Sequence, residues 1–141
     1  MDLCSSTDIC SLIDINLDSP SGNYIPRADI LRLISWAKER KIRLIVDESF
    51  IDFASEPVME GGEAHLSPAP GTGTILDENI LDENPHLTVV KSISKSYGVP
   101  GLRLGIAASG DRDLMASLKR DVAIWNINSF AEFYLQIEEK Y

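Results

Sequence analysis

The segment Ser92 to Arg103 reads S-I-S-K-S-Y-G-V-P-G-L-R and gathers one lysine, serine hydroxyls, two glycines and an arginine. It follows a β-like apolar run (Leu87, Val89, Val90), and a second such run (Leu102, Leu104, Ile106) begins at once. A strand end that offers an amine beside hydroxyl and guanidinium donors suits a phosphorylated aldehyde held as a Schiff base. The amine attacks the carbonyl carbon, and the other donors grip the phosphate. Asp47, in D-E-S-F-I-D-F, closes another apolar run, Ile42 to Val46. In open α/β sheets, ligands bind at the carboxyl ends of strands. If the two runs are neighbours, their ends lie about 4.8 Å apart, and Asp47 and Lys95 address opposite ends of one small planar ring. A carboxylate there keeps a pyridine nitrogen protonated, and the protonated ring draws electrons from a substrate carbon.

The elements that must position these groups alternate between β and α periodicity, which predicts an α/β fold with a largely parallel sheet. Ser11 to Asn16 reads as a short strand running into the turn Asp18-Ser19-Pro20-Ser21-Gly22. Pro26 opens a helix to about Arg40, with Ile30, Leu33, Ile34 and Ala37 on one face. Ile42 to Val46 is a strand covered on both faces. Ala54 to Pro70 reads as a surface loop, and the doubled pentapeptide I-L-D-E-N of residues 75–84 as an acidic, amphipathic helical turn. Leu87–Ile93 and Leu102–Ala108 are strands too close in sequence for a helical crossover, so antiparallel pairing is expected. Asp111 to Arg120 is a helix. A last helix starts at the capping-box pair Ser129 and Glu132, with Phe130, Phe133, Tyr134 and Ile137 along one side.

Length and composition bound the function classes. The 141 residues suffice for one core, and 44% apolar with 25% charged residues is ordinary for a globular protein. A net charge of −9 argues against nucleic acid and anionic membranes as partners. No apolar run approaches the roughly 20 residues that span a bilayer, and the first residues lack a signal-peptide pattern. The cytoplasm is therefore the expected compartment. Cys4 and Cys10 lack the further Cys or His that a metal site needs and read as ordinary thiols, so no metal is expected. His65 and His86 read as surface histidines, Glu48 and Asp52 as solvated carboxylates. Tyr97 is either a pocket or a packed loop aromatic, and Arg103 has a structural salt bridge as its alternative.

Ser92, Lys95 and Arg103 fit the pattern S-x-x-K followed eight residues later by Arg. The segment resembles the cofactor-lysine motif of fold-type I pyridoxal-phosphate enzymes, most closely the histidinol-phosphate aminotransferase branch. Asn16, Pro20, Ser21 and Gly22 match that family's N-P-x-N-P-[ST]-G element, and D-E-S-F-I-D-F is similar to threonine-phosphate decarboxylase relatives. The resemblance implies pyridoxal 5'-phosphate as cofactor. It implies that Lys95 holds the cofactor and moves the proton at the substrate α-carbon, with burial freeing its amine. Asp47 is then the ring-nitrogen partner, and Ser92 and Arg103 grip the phosphate with Ser94 helping. Ser19 stands where an asparagine usually bonds the ring hydroxyl, and Phe50 where many aminotransferases place a tyrosine; serine can still donate, phenylalanine cannot.

The implied architecture is a three-layer αβα sandwich with a mostly parallel sheet of about four strands. Residues 1–141 would be part of the large cofactor-binding domain, with 121–141 leading towards a small domain. The resemblance covers roughly the middle third to two-fifths of a complete member, so a fragment with uncovered apolar faces is expected. The implied activity is an aminotransferase that moves an amino group between an amino acid and a 2-oxo acid, as a homodimer. The alternatives are a decarboxylase of the same fold and a non-catalytic aminotransferase-like fragment.

Overall fold

A computed structural model of the chain describes residues 9–54, 56–60, 63–67 and 73–138. Pro26 is the N-cap of α1 (Arg27–Glu39), so the helix begins one residue later than expected, with the proline at φ −57° already suited to helix entry. The helix buries Ile30, Ile34 and Ala37, spaced i, i+4, i+7. Its end is a Schellman motif: Ile42 N–H donates to Ala37 O at 3.0 Å and Lys41 N–H to Lys38 O at 3.2 Å. Lys41, at φ +57°, occupies the left-handed position where glycine is usual. This tight exit feeds β2 (Arg43–Asp47) directly beside the helix that precedes it.

β1 (Ser11–Ile15), β2 and β5 (Leu87–Ser92) are parallel, and β6 (Gly105–Ser109) adds to β5 antiparallel, giving the order β1-β2-β5-β6. Both neighbour expectations for the lysine and aspartate strands are met. The register pairs Ile15 with Asp47, Asp47 with Val90, and Ser92 with Gly105. The carboxyl ends of three strands and the start of the fourth therefore meet at one edge of the sheet.

One face of the sheet carries Leu44, Val46, Leu87 and Val89, packed with the buried stripe of α1 and with Leu76, Ile80 and Leu81 around α2 (Glu78–Glu83). Burying each such aliphatic side chain stabilises the fold by about 1.5–3 kcal/mol. The helix α2 is built from the pentapeptide repeat. Asp77 of the first copy caps it by accepting from Asn79 N–H and Ile80 N–H, and Asn84 of the second closes it through Ile80 O. On the opposite face Ile13 and Ile15 are 66% and 49% exposed. The chain is thus an α/β unit in which the described helices α1 and α2 cover one sheet face while β1 leaves apolar side chains open on the other.

Two expectations are corrected. The stretch read as a loop from Ala54 to Pro70 contains an antiparallel hairpin, β3 (Glu56–Glu60) with β4 (Glu63–Ser67). The two strands pair from Glu56 with Ser67 to Glu60 with Glu63, and the scarcity of apolar residues conceals them in the sequence. The last helix, α5 (Ser129–Glu138), is capped by Asn128 rather than by Ser129. Asn128 Oδ1 accepts from Ala131 N–H at 3.0 Å while its Nδ2 donates to Leu102 O at 2.8 Å, so the cap also ties α5 to the lysine segment. Ala131 is buried with Ile93 and Leu104, and Tyr134 packs beside them. Phe130 and Phe133 remain exposed. Before it, α4 (Arg112–Asp121) follows β6, with Asp111 capping through Leu114 N–H. No helix of the described residues is long and apolar enough to cross a membrane.

Candidate active site

The end of β2 is held from both sides. Asp47 O accepts from Asn16 N–H at 2.9 Å, and Glu48 N–H donates to Val90 O at 2.8 Å. The Asp47 carboxylate then turns the chain off the sheet, its Oδ1 accepting from Ser49 N–H at 2.8 Å, the local bond that makes Asp a turn residue. Ser49 Oγ accepts from Ser92 N–H at 3.0 Å. A serine that no spacing argument singles out therefore couples the aspartate turn to the lysine segment. Asn16, fully buried, clamps its own turn by pairing both side-chain atoms with Ile25, each at 2.9 Å. Gly22, at φ +72°, lets that turn close where an L side chain would strain.

Lys95 stands on a one-turn helix, α3 (Ile93–Ser96). Ile93 and Ser94 are its buried residues, Ile93 N–H donates to Leu104 O at 3.2 Å, and Gly98 at φ +66° ends it. The expectation that Lys95 is buried fails: its side chain is exposed. The turn spends its inward positions on Ile93 and Ser94, so the next residue faces out. The Lys95 amine lies 3.6 Å from the centroid of the Phe50 ring, a cation–π seat.

A cleft of about 360 Å³ opens at the strand ends, within the size range of small-molecule sites. Asp47, Ser92, Ser94 and Arg103 all line it, with Ser49 and Lys91. Ser19 and Phe50 line a second hollow beside Pro20 and Phe53. Consecutive residues Ser49 and Phe50 join the two. Lys95 lines neither, and its amine meets them only through its contact with the Phe50 ring. Tyr97 is half exposed and lines neither. Arg103 has φ +57° and ψ +40°, a left-handed conformation that costs a non-glycine residue about 1–2 kcal/mol. Among the described residues its guanidinium has no carboxylate partner, so the structural salt bridge is absent.

Glu48 and Asp52 are not solvated. Glu48 is 1% exposed; its Oε1 accepts from Ile75 N–H at 2.8 Å and its Oε2 from the Thr74 hydroxyl at 2.5 Å, which docks the segment before α2. Burial pushes its carboxyl above the ordinary value, against the Thr74 and Ile75 hydrogen bonds. The folded chain thus keeps a proton that the unfolded chain releases. That contribution to stability is complete below about pH 4.5 and is lost as pH rises through the raised value. Denaturant titrations across this window should show Glu48→Gln removing the decline. Glu48→Ala, which orphans the Ile75 N–H, should lower stability by about 1–3 kcal/mol.

Asp52 pairs with Lys91 at 2.7 Å, both side chains largely buried. Burial raises its carboxyl, but the hydrogen bonds from Lys91 and Ser96, with the Lys91 charge, outweigh this and hold it below the ordinary value. The stability it supplies is present above about pH 3.8 and lost as pH falls through the lowered value. His86 is half-buried and its Nε2 lies 3.0 Å from Ile34 O, a tether from β5 to α1 rather than a surface histidine. Cys10 is a free, exposed thiol; Cys4 and the His65 side chain lie outside the described residues.

Residues 6–135 match the family model for aminotransferase class I and II. The chain belongs to that family. A CMP-5'-(3-aminopropyl)phosphonate synthase from Streptomyces rubellomurinus is 36% identical over 87% of this chain and 17% of its own length. Threonine-phosphate decarboxylase from Salmonella typhimurium is 34% identical over 81% of this chain and 27% of its own. The crystal structure of histidinol-phosphate aminotransferase from Clostridium acetobutylicum superposes with a TM-score of 0.66 at 25% identity, over 87% of this chain and 32% of that one. The chain thus spans less than a third of each relative, a smaller share than the motif positions imply.

Members of this aminotransferase family are pyridoxal-phosphate-dependent enzymes. The donor set of the cleft fits that cofactor. An unpaired guanidinium and two serine hydroxyls suit a dianionic phosphate, and a carboxylate on the same cleft suits a basic ring nitrogen. Gly105, also on the cleft, leaves space that a Cβ would take, within 3.3 Å of Lys91 O.

Proposed function

We propose that this chain builds the cofactor centre of a pyridoxal-phosphate-dependent aminotransferase that moves an amino group between an amino acid and a 2-oxo acid. The observation that carries the proposal is the convergence of Asp47, Ser92, Ser94 and Arg103 on one cleft at the carboxyl ends of adjacent parallel strands. Family membership and the Lys95 position three residues beyond Ser92 support it. The cofactor, when bound, supplies an electron sink for the substrate α-carbon. Lys95 would hold it through Nζ, and the same amine, when free, would serve as the base that moves the proton at the substrate α-carbon. Asp47, whose Oδ1 accepts from Ser49 N–H, would keep the ring nitrogen charged through its carboxylate. Arg103 and Ser92 would bind its phosphate. Ser19, beside Phe50, is the remaining donor for the ring hydroxyl.

A second reading, decarboxylation of a phosphorylated amino acid, is favoured by Phe50. Its ring seats the Lys95 amine and offers the ring oxygen no hydroxyl. Threonine-phosphate decarboxylase, among the relatives, acts on such a substrate by name. Incubation of the cofactor-loaded chain with amino acids and phosphorylated amino acids separates the readings. Formation of a new amino acid from an added 2-oxo acid supports transamination, and carbon dioxide release without amino transfer supports decarboxylation. Neither product, with cofactor bound, contradicts both.

A further inference from the structure

Two lysines belong to this site, and the chemistry needs one. Lys91 precedes Lys95 by a single helical turn's worth of sequence and lines the same cleft as Asp47, Ser92 and Arg103. Lysine amines are alike in intrinsic basicity, so an aldehyde in the cleft would meet two candidate nucleophiles unless the protein separates them. Geometry does so. Lys91 Nζ lies 2.7 Å from Asp52 Oδ1, with side chains 12% and 18% exposed. An ammonium whose proton sits on a carboxylate at that distance has no lone pair to offer a carbonyl. Lys95 has no carboxylate partner among the described residues; its amine rests on the Phe50 ring.

The partner's location matters as much as its charge. Asp52 lies in the 3₁₀ turn Ile51–Phe53, directly after Phe50, while Lys91 lies in β5 directly before the Ser92 phosphate donor. The pair therefore fastens the turn that carries the Lys95 seat to the strand that delivers Lys95. Asp52 Oδ1 accepts from Lys91 Nζ at 2.7 Å, the ion pair that ties this carboxylate to β5, while the Ser96 hydroxyl of the lysine turn lies on its other side.

We infer that the Lys91–Asp52 pair is a positioning device that withholds a second amine from the cofactor aldehyde and fixes Phe50 beneath Lys95. The inference rests on the cofactor reading above. Reductive labelling reads it without turnover. The amine nitrogen bonds to the aldehyde carbon as water departs with the carbonyl oxygen. Borohydride then delivers hydride to that carbon, the nitrogen takes a proton, and a stable secondary amine marks the lysine that reacted.

The chain, treated with pyridoxal phosphate and borohydride and mapped by peptide mass, should carry label at Lys95 alone. Asp52→Asn should raise labelling at Lys91 by at least about tenfold, because the freed amine now meets the aldehyde. Lys91→Arg retains the pair and should keep the visible band and cofactor affinity of the unmodified chain. Lys91→Met removes the pair without adding an amine, and should shift the band and weaken cofactor binding while label stays at Lys95. Label confined to Lys95 in Asp52→Asn, with band and affinity unchanged, overturns the inference and leaves the cofactor reading standing. Should Asp52→Asn lose its circular dichroism signal, equal binding by Lys91→Arg and Lys91→Met overturns it instead. An unlabelled parent chain overturns the cofactor reading and this inference with it.

Discussion

On the proposed reading, Lys95→Ala should remove the cofactor-linked visible band, leave borohydride nothing to fix, and lower turnover by about 10⁴-fold or more. Two proposed functions would be lost together, the covalent anchor and the proton carrier at the α-carbon, and acid–base participation alone is commonly worth about 10²–10⁴-fold. Stability should scarcely change. The side chain is exposed and its contact with Phe50 is a surface cation–π pair worth about 0.5–1 kcal/mol. Lys95→Arg sharpens the point: it keeps a cation over the Phe50 ring yet cannot form the imine, so it should fold like the parent and bind no aldehyde covalently. Absorbance spectra with thermal melts on the three proteins check this. A persistent band in Lys95→Ala contradicts the assignment.

The second large effect belongs to Arg103. If its guanidinium grips the cofactor phosphate through two charge-assisted hydrogen bonds, each worth about 1.5–3 kcal/mol, Arg103→Ala should weaken cofactor binding by about 10²–10³-fold or more. Its backbone offers an internal control. At φ +57° the arginine strains a position that glycine would occupy freely. Arg103→Gly should therefore gain about 1 kcal/mol of stability while losing the same binding as Arg103→Ala. Equilibrium dialysis and denaturant titration measure the two quantities separately. A residue retained for the fold would lose stability on substitution; one retained for the phosphate would lose affinity alone.

Much of the frame is written in local sequence. The stripe of Ile30, Ile34 and Ala37 and the apolar run through Val46 require a helix packed on a strand, and the structure supplies both. It covers the strand on the Leu44 and Val46 face, while Ile45 on the other face is only partly buried. The short connection after Ser92 forces β6 antiparallel. What escaped are interactions between residues far apart in sequence. Glu48 looks like any exposed carboxylate until the Thr74–Ile75 segment folds over it. Asp52 and Lys91 are 39 residues apart, and only the pairing of β2 with β5 brings them together. The exposure of Lys95 follows from Ile93 and Ser94 taking the inward positions of a single turn, a competition that motif spacing does not express. The Asn128 cap was hidden for a similar reason, since its second bond runs to Leu102.

The central claim is that one cofactor spans Lys95, Asp47 and Arg103 at the carboxyl ends of β2 and β5. A crystal structure of the chain reduced with borohydride in the presence of pyridoxal phosphate tests it most directly. The account predicts density continuous from Lys95 Nζ, the phosphate within hydrogen-bond reach of Arg103 and Ser92, and the ring nitrogen against Asp47. Density attached to another lysine, or a phosphate bound away from Arg103, would contradict it.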